Sequence, residues 1–246
     1  MGKHLTYRSG NPVLTSNAFN TTAISSETMT INGTVNKTFL SLTLLMVTGY
    51  YTFMSGQIMS GFAIFSLIAA FIVAIITMYK KEWSPITVPI YAILEGIGLG
   101  WFSYSFNSLY DGIVLSAICI TVSILLAMLM IYRSGLIKPT ENFKLGVCAA
   151  TGGIALLYMI NFVMSFFGSQ MGIMNIQNAS LMSIGFSLFV IVIAALNLVV
   201  DFDFIEEGAE KGAPKYMEWF GALGLMVTLV WLYLEILRLL AKLRSR

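Results

Sequence analysis

The chain has 246 residues, of which 57% are hydrophobic and 11% charged, with a mean hydropathy of +0.82. So few charges exclude a soluble globule, and a formal net charge of +2 offers no basic surface for nucleic acid. The composition is that of an all-α integral membrane protein, whose first partner is the lipid bilayer.

Residues 1–36 are rich in Thr, Ser and Asn, carry the turn signal Gly10-Asn11-Pro12 and lack apolar periodicity. They are expected to form a polar, disordered cytoplasmic tail ahead of a transmembrane domain over 37–246. From Thr38 on, apolar runs alternate with short polar breaks, and each run approaches the roughly 20 residues a helix needs to cross a bilayer. Seven transmembrane helices are predicted, over 38–54, 58–79, 85–107, 112–132, 146–167, 180–200 and 217–240. The break at Ser55-Gly56-Gln57 is short enough to predict a tight hairpin between the first two. Strands are excluded, because a lone strand cannot satisfy its backbone in lipid and the alternation of a barrel is absent.

With seven spans, the tail and the loops on its side hold ten Lys and Arg residues, and the loops on the opposite side hold none. The amino terminus is therefore expected in the cytoplasm, and the short basic inner loops suit a bacterial plasma membrane. Arg238, Lys242, Arg244 and Arg246 then fall at or beyond the outer face, unless the last segment is re-entrant.

A charge at the bilayer centre costs about 2.5–3.5 kcal/mol on insertion scales, so each acid inside a span needs a reason. Glu95 lies near the middle of the third span, beside Gly96, Gly98 and Gly100, which admit a second backbone. It reads either as a protonated side chain bonded between helices or as a midplane site on an ion path. Glu235 shares a helical face with Arg238, three residues on, and reads either as half of a local ion pair or as a second site on that path. At the end of the sixth span Asn197 and Asp201 share a face, whereas Asp203 is turned about 200° away from Asp201. Glu206, Glu207 and Glu210 read as a solvated run balancing Lys211 and Lys215. Glu218 returns level with Asp203, which gives a secondary acidic cluster of Asp203 and Glu218 at the cytoplasmic entrance. Such an oxygen-only set suits a hard cation such as Ca²⁺.

No enzyme and no cofactor are expected. The single histidine, His4, lies in the tail, and Cys119 and Cys148 sit in apolar runs. No phosphate-binding glycine loop and no opposed pair of midplane aspartates is present.

The stretches Leu196-Asn-Leu-Val-Val-Asp201-Phe-Asp-Phe-Ile and Trp231-Leu-Tyr-Leu-Glu235-Ile-Leu-Arg-Leu-Leu, set in seven short-looped spans, resemble the Bax inhibitor-1 family and its YccA-like bacterial branch. The resemblance implies two three-helix layers around a central carboxy-terminal helix and a pH-sensitive, passive Ca²⁺ leak. It also implies a proton-sensing carboxyl pair, whose first acid falls on Asp201 and whose second falls on Glu235, with Ca²⁺ and protons as partners. If the chain turns near Lys211, straight helices leave these two on the order of 20 Å apart in height. Direct contact then requires a tilted or re-entrant seventh segment; otherwise Asp201 pairs with Asp203 or Glu218. The alternative function is a non-conducting scaffold that modulates a membrane protease or a stress or cell-death pathway through its tail.

Overall fold

A computed structural model describes residues 27–56 and 60–245. The tail up to residue 26 lies outside the described residues, as does Gln57 of the expected hairpin turn. Seven long helices follow in order: α1 (Ile31–Ser55), α2 (Ser60–Tyr79), α3 (Ser84–Leu109), α4 (Ile113–Arg133), α5 (Glu141–Phe166), α6 (Leu181–Glu210) and α7 (Met217–Arg244). Among the described residues no strand forms, only an isolated bridge between Thr28 and Pro214. Six of the helices, α2 to α7, are long and apolar enough to cross a membrane. The exception is α1, where Asn, Thr, Ser and Tyr side chains dilute the apolar run.

Helix boundaries follow local chemistry. Thr30 caps α1, its hydroxyl accepting from Gly33 N, so the helix takes in residues 31–36 that composition alone assigns to the tail. Thr140 caps α5 in the same way by accepting from Phe143 N. Helix α6 runs ten residues past its expected end at 200, because its acidic tail continues the helical hydrogen bonding and pairs Glu207 with Lys211. Gly212, at φ 64°, then takes the left-handed turn that stops it.

The chain divides into two compact units. The first holds residues 110–202 and 228–246, that is α4, α5, most of α6 and the second half of α7. Its apolar centre is Ile154, Val190 and Ile193, with Ala150, Tyr158, Phe186, Leu196 and Trp231 against them. The second unit holds α1 to α3 with residues 203–227. There α3 packs against α1 and α2, and a Cβ on Gly96 would run into the Leu45 carbonyl oxygen and Thr48 Oγ1. This is the close backbone approach that small residues permit in lipid. Of the six candidate spans α7 is the most deeply buried.

Candidate functional site

The first unit carries a row of buried polar side chains on three helices that are otherwise apolar. On α7, Thr228, Glu235 and Lys242 recur every seven residues, close to two helical turns, and so lie on one stripe. All three are buried, at 2%, 1% and 0% relative exposure. On α6, Ser183, Ser187, Asn197 and Asp201 form a matching buried stripe with Val190 and Ala194. On α5, Thr151 and Tyr158 are again seven apart.

These stripes meet as discrete contacts. Thr228 Oγ1 donates to Asp201 Oδ2 at 2.5 Å. Asn197 Nδ2 donates to Thr151 Oγ1 at 2.8 Å and to the Ile193 carbonyl at 2.9 Å. Tyr158 OH and Arg238 Nη1 both donate to Glu235 Oε2, each at 2.6 Å, and Arg238 Nη1 also reaches the tyrosine oxygen at 3.0 Å. The guanidinium stands 5.2 Å from the centre of the Tyr158 ring. Lys242 Nζ donates to the Ile173 carbonyl, Ser187 Oγ and the Ser183 carbonyl at 2.8, 2.9 and 3.1 Å. Glu235 Oε1 and Asn197 Oδ1 are buried acceptors that receive no hydrogen bond among the described residues.

The fourteen steps along the helix from Thr228 to Lys242 span about 21 Å at 1.5 Å per residue. That is most of a hydrocarbon layer of roughly 30 Å.

In the second unit Glu218, fully buried, is enclosed by donors. Thr30 N and Thr30 Oγ1 donate to Oε1 at 3.0 and 2.9 Å, Lys37 Nζ lies 2.7 Å from Oε2, and Lys215 Nζ lies 3.2 Å from Oε1. With Met29 N donating to the Ala213 carbonyl at 2.7 Å, this ties residues 28–30 to the connection between α6 and α7. Glu95, half-buried on α3, makes no hydrogen bond or ion pair among the described residues.

The chain matches the Bax inhibitor 1 like family over residues 11–245. It belongs to that family. Neither a curated protein nor a solved structure matches it.

In this Bax inhibitor 1 like protein the residue that α7 brings to Asp201 is Thr228, not Glu235. Glu235 lies seven residues further along the helix, about 10 Å away in height. The separation is half of what the sequence suggests, because α7 begins at Met217 and α6 ends at Glu210, which sets Asp201 level with Thr228. Asp201 and Glu235 are therefore not in direct contact in this structure. Among the described residues no three His, Cys, Asp or Glu side chains stand together to hold a metal. Nor do Asp203 and Glu218 act as an open acidic cluster, since the Glu218 carboxylate is taken up by Lys37, Lys215 and Thr30. The Glu235–Arg238 ion pair forms as their spacing predicts. Lys242, expected at or beyond the outer face, lies in the last turn of α7 and is fully buried. Thr228, Thr151 and Tyr158 are not singled out by charge or motif, and Lys242 is noted only as a terminal charge; the signal that could have joined three of the row's members is the seven-residue interval from Thr228 to Glu235 to Lys242.

Proposed function

We propose that this membrane protein is a passive, pH-sensitive cation leak with a preference for Ca²⁺, in a bacterial plasma membrane with its amino terminus in the cytoplasm. It carries out no covalent reaction and needs no cofactor. Family membership and the buried polar row support this reading, and the row carries it. A multi-pass protein whose only task is to fold has no reason to bury two acids, an amide and a lysine along one helical seam, given what each costs in lipid.

Asp201 is the gate. When protonated it is neutral and returns a hydrogen bond to Thr228; when ionised it places a charge in a low dielectric against the Thr228 hydroxyl, where a cation stabilises it. Glu235 is the second site, its charge balanced by Arg238 and its Oε1 open to a passing ion. Glu95, an acid in a span with no bonded partner among the described residues, sets conduction by its charge state.

The test is Ca²⁺ entry into dye-loaded proteoliposomes between about pH 6 and 8, comparing the wild type with Asp201→Asn, Glu235→Gln and Glu95→Gln. The reading expects flux above empty liposomes that each substitution alters. Folded, inserted protein with no flux at any pH refutes it and favours the scaffold role.

A further inference from the structure

The environment of Lys242 resembles a cation site with its own occupant. The ammonium is fully buried and its three N–H groups meet three oxygens, the carbonyls of Ile173 and Ser183 and the hydroxyl of Ser187, at 2.8–3.1 Å. None of these carries a formal charge. No carboxylate pairs with Lys242 among the described residues: Glu235 is two turns back on α7, and its charge is met by Arg238. A buried ammonium that touches no carboxylate among the described residues is an expensive way to hold a helix end, which an apolar residue would do at less cost.

The oxygens also indicate what kind of cation fits. Neutral oxygens at these distances match the hydrogen bonds of an ammonium, or the carbonyl coordination that replaces the water shell of a large monovalent ion. They do not match Ca²⁺, which takes six to eight oxygens, usually with carboxylates, at about 2.3–2.6 Å. The three oxygens come from the short turn Gly172–Met174 and from the first turns of α6, and the ammonium comes from the last turn of α7. The site therefore lies at one end of the polar row, with Asp201 at the other.

We infer that the Ile173, Ser183 and Ser187 oxygens form a monovalent-cation site and that Lys242 is its tethered occupant, an ammonium that narrows this end of the row to mobile ions. The narrowing role rests on the leak reading; the binding role does not.

Purified Lys242→Ala in lipid nanodiscs, titrated with methylammonium chloride and, in parallel, with sodium chloride at equal ionic strength, tests the binding. Methylammonium replaces the lost ammonium and one carbon. Thermal unfolding of the variant should begin several degrees below the wild type and recover saturably with methylammonium but not with sodium, while the wild type and Lys242→Met, which refills the space with an apolar chain, stay unresponsive. Equal effects of the two salts, or an equal response in Lys242→Met, overturn the site. If the alanine variant does not fold in sodium, the inference requires that it fold in methylammonium, and failure in both overturns it.

In proteoliposomes Lys242→Ala should pass K⁺ several-fold faster than the wild type. Saturable methylammonium rescue with no flux from any variant leaves the site standing and removes the leak; wild-type flux without rescue does the reverse.

Discussion

Arg238→Met tests whether Glu235 is held as an ion. Glu235 is 1% exposed and the Arg238 side chain 27%, and Tyr158 closes the triangle with bonds to both. Methionine keeps most of the packing volume of the arginine stem and removes its charge, leaving an ionised carboxyl with one phenolic donor and one bare oxygen. Removing one partner of a buried ion pair costs about 3–5 kcal/mol. Glu235→Gln in the same chain removes the charge that needed compensation, so the double variant should regain about 1–3 kcal/mol relative to Arg238→Met. The assay is a double-mutant cycle of denaturant unfolding in one detergent or lipid. Strictly additive effects would refute the claim that this pair is ionic.

Thr228→Val removes the hydroxyl that donates to Asp201 while keeping side-chain shape; it should cost about 1.5–3 kcal/mol where Asp201 is ionised, as read by unfolding. Glu95→Leu should raise the unfolding temperature while lowering Ca²⁺ flux, because an acid in a span that is bonded to none of the described residues adds nothing to stability. Glu218→Ala should leave Lys37 and the backbone of Thr30 without their acceptor, cost about 2–4 kcal/mol and make the chain near residue 30 more sensitive to protease. Gly96→Val, aimed at the Leu45 carbonyl, should destabilise by at least about 1–3 kcal/mol, measured as lost folded yield or a lower unfolding temperature.

The sequence made the helices legible because length and apolarity decide what crosses a bilayer, and α2, α3, α4 and α7 begin within two residues of the expected positions. It was less informative at α1 and α6. Residues 31–36 look like tail because the group that fixes them, Glu218, lies some 180 residues away in the chain. The acidic end of α6 looks like a loop because charge alone does not tell a solvated helix from a turn. Within the site, Asp201 and Glu235 stood out as charges in apolar runs, and the Glu235–Arg238 pair followed from their spacing. The partner of Asp201 did not, because pairing across α6 and α7 depends on where each helix starts, and an error of seven residues replaces Thr228 with Glu235. Lys242 was assigned to the outer face by a rule about charges near span ends, which says nothing about a carbonyl turn built to receive one.

The central claim is that protonation of Asp201 governs a cation path. The most direct test is the pH profile of Ca²⁺ flux through wild-type and Asp201→Asn proteoliposomes of matched protein content, between about pH 6 and 8. Asparagine keeps the bond to Thr228 and cannot titrate. A wild-type flux that changes with pH and a flat profile in Asp201→Asn is the predicted result; a variant that keeps the wild-type profile would contradict the account.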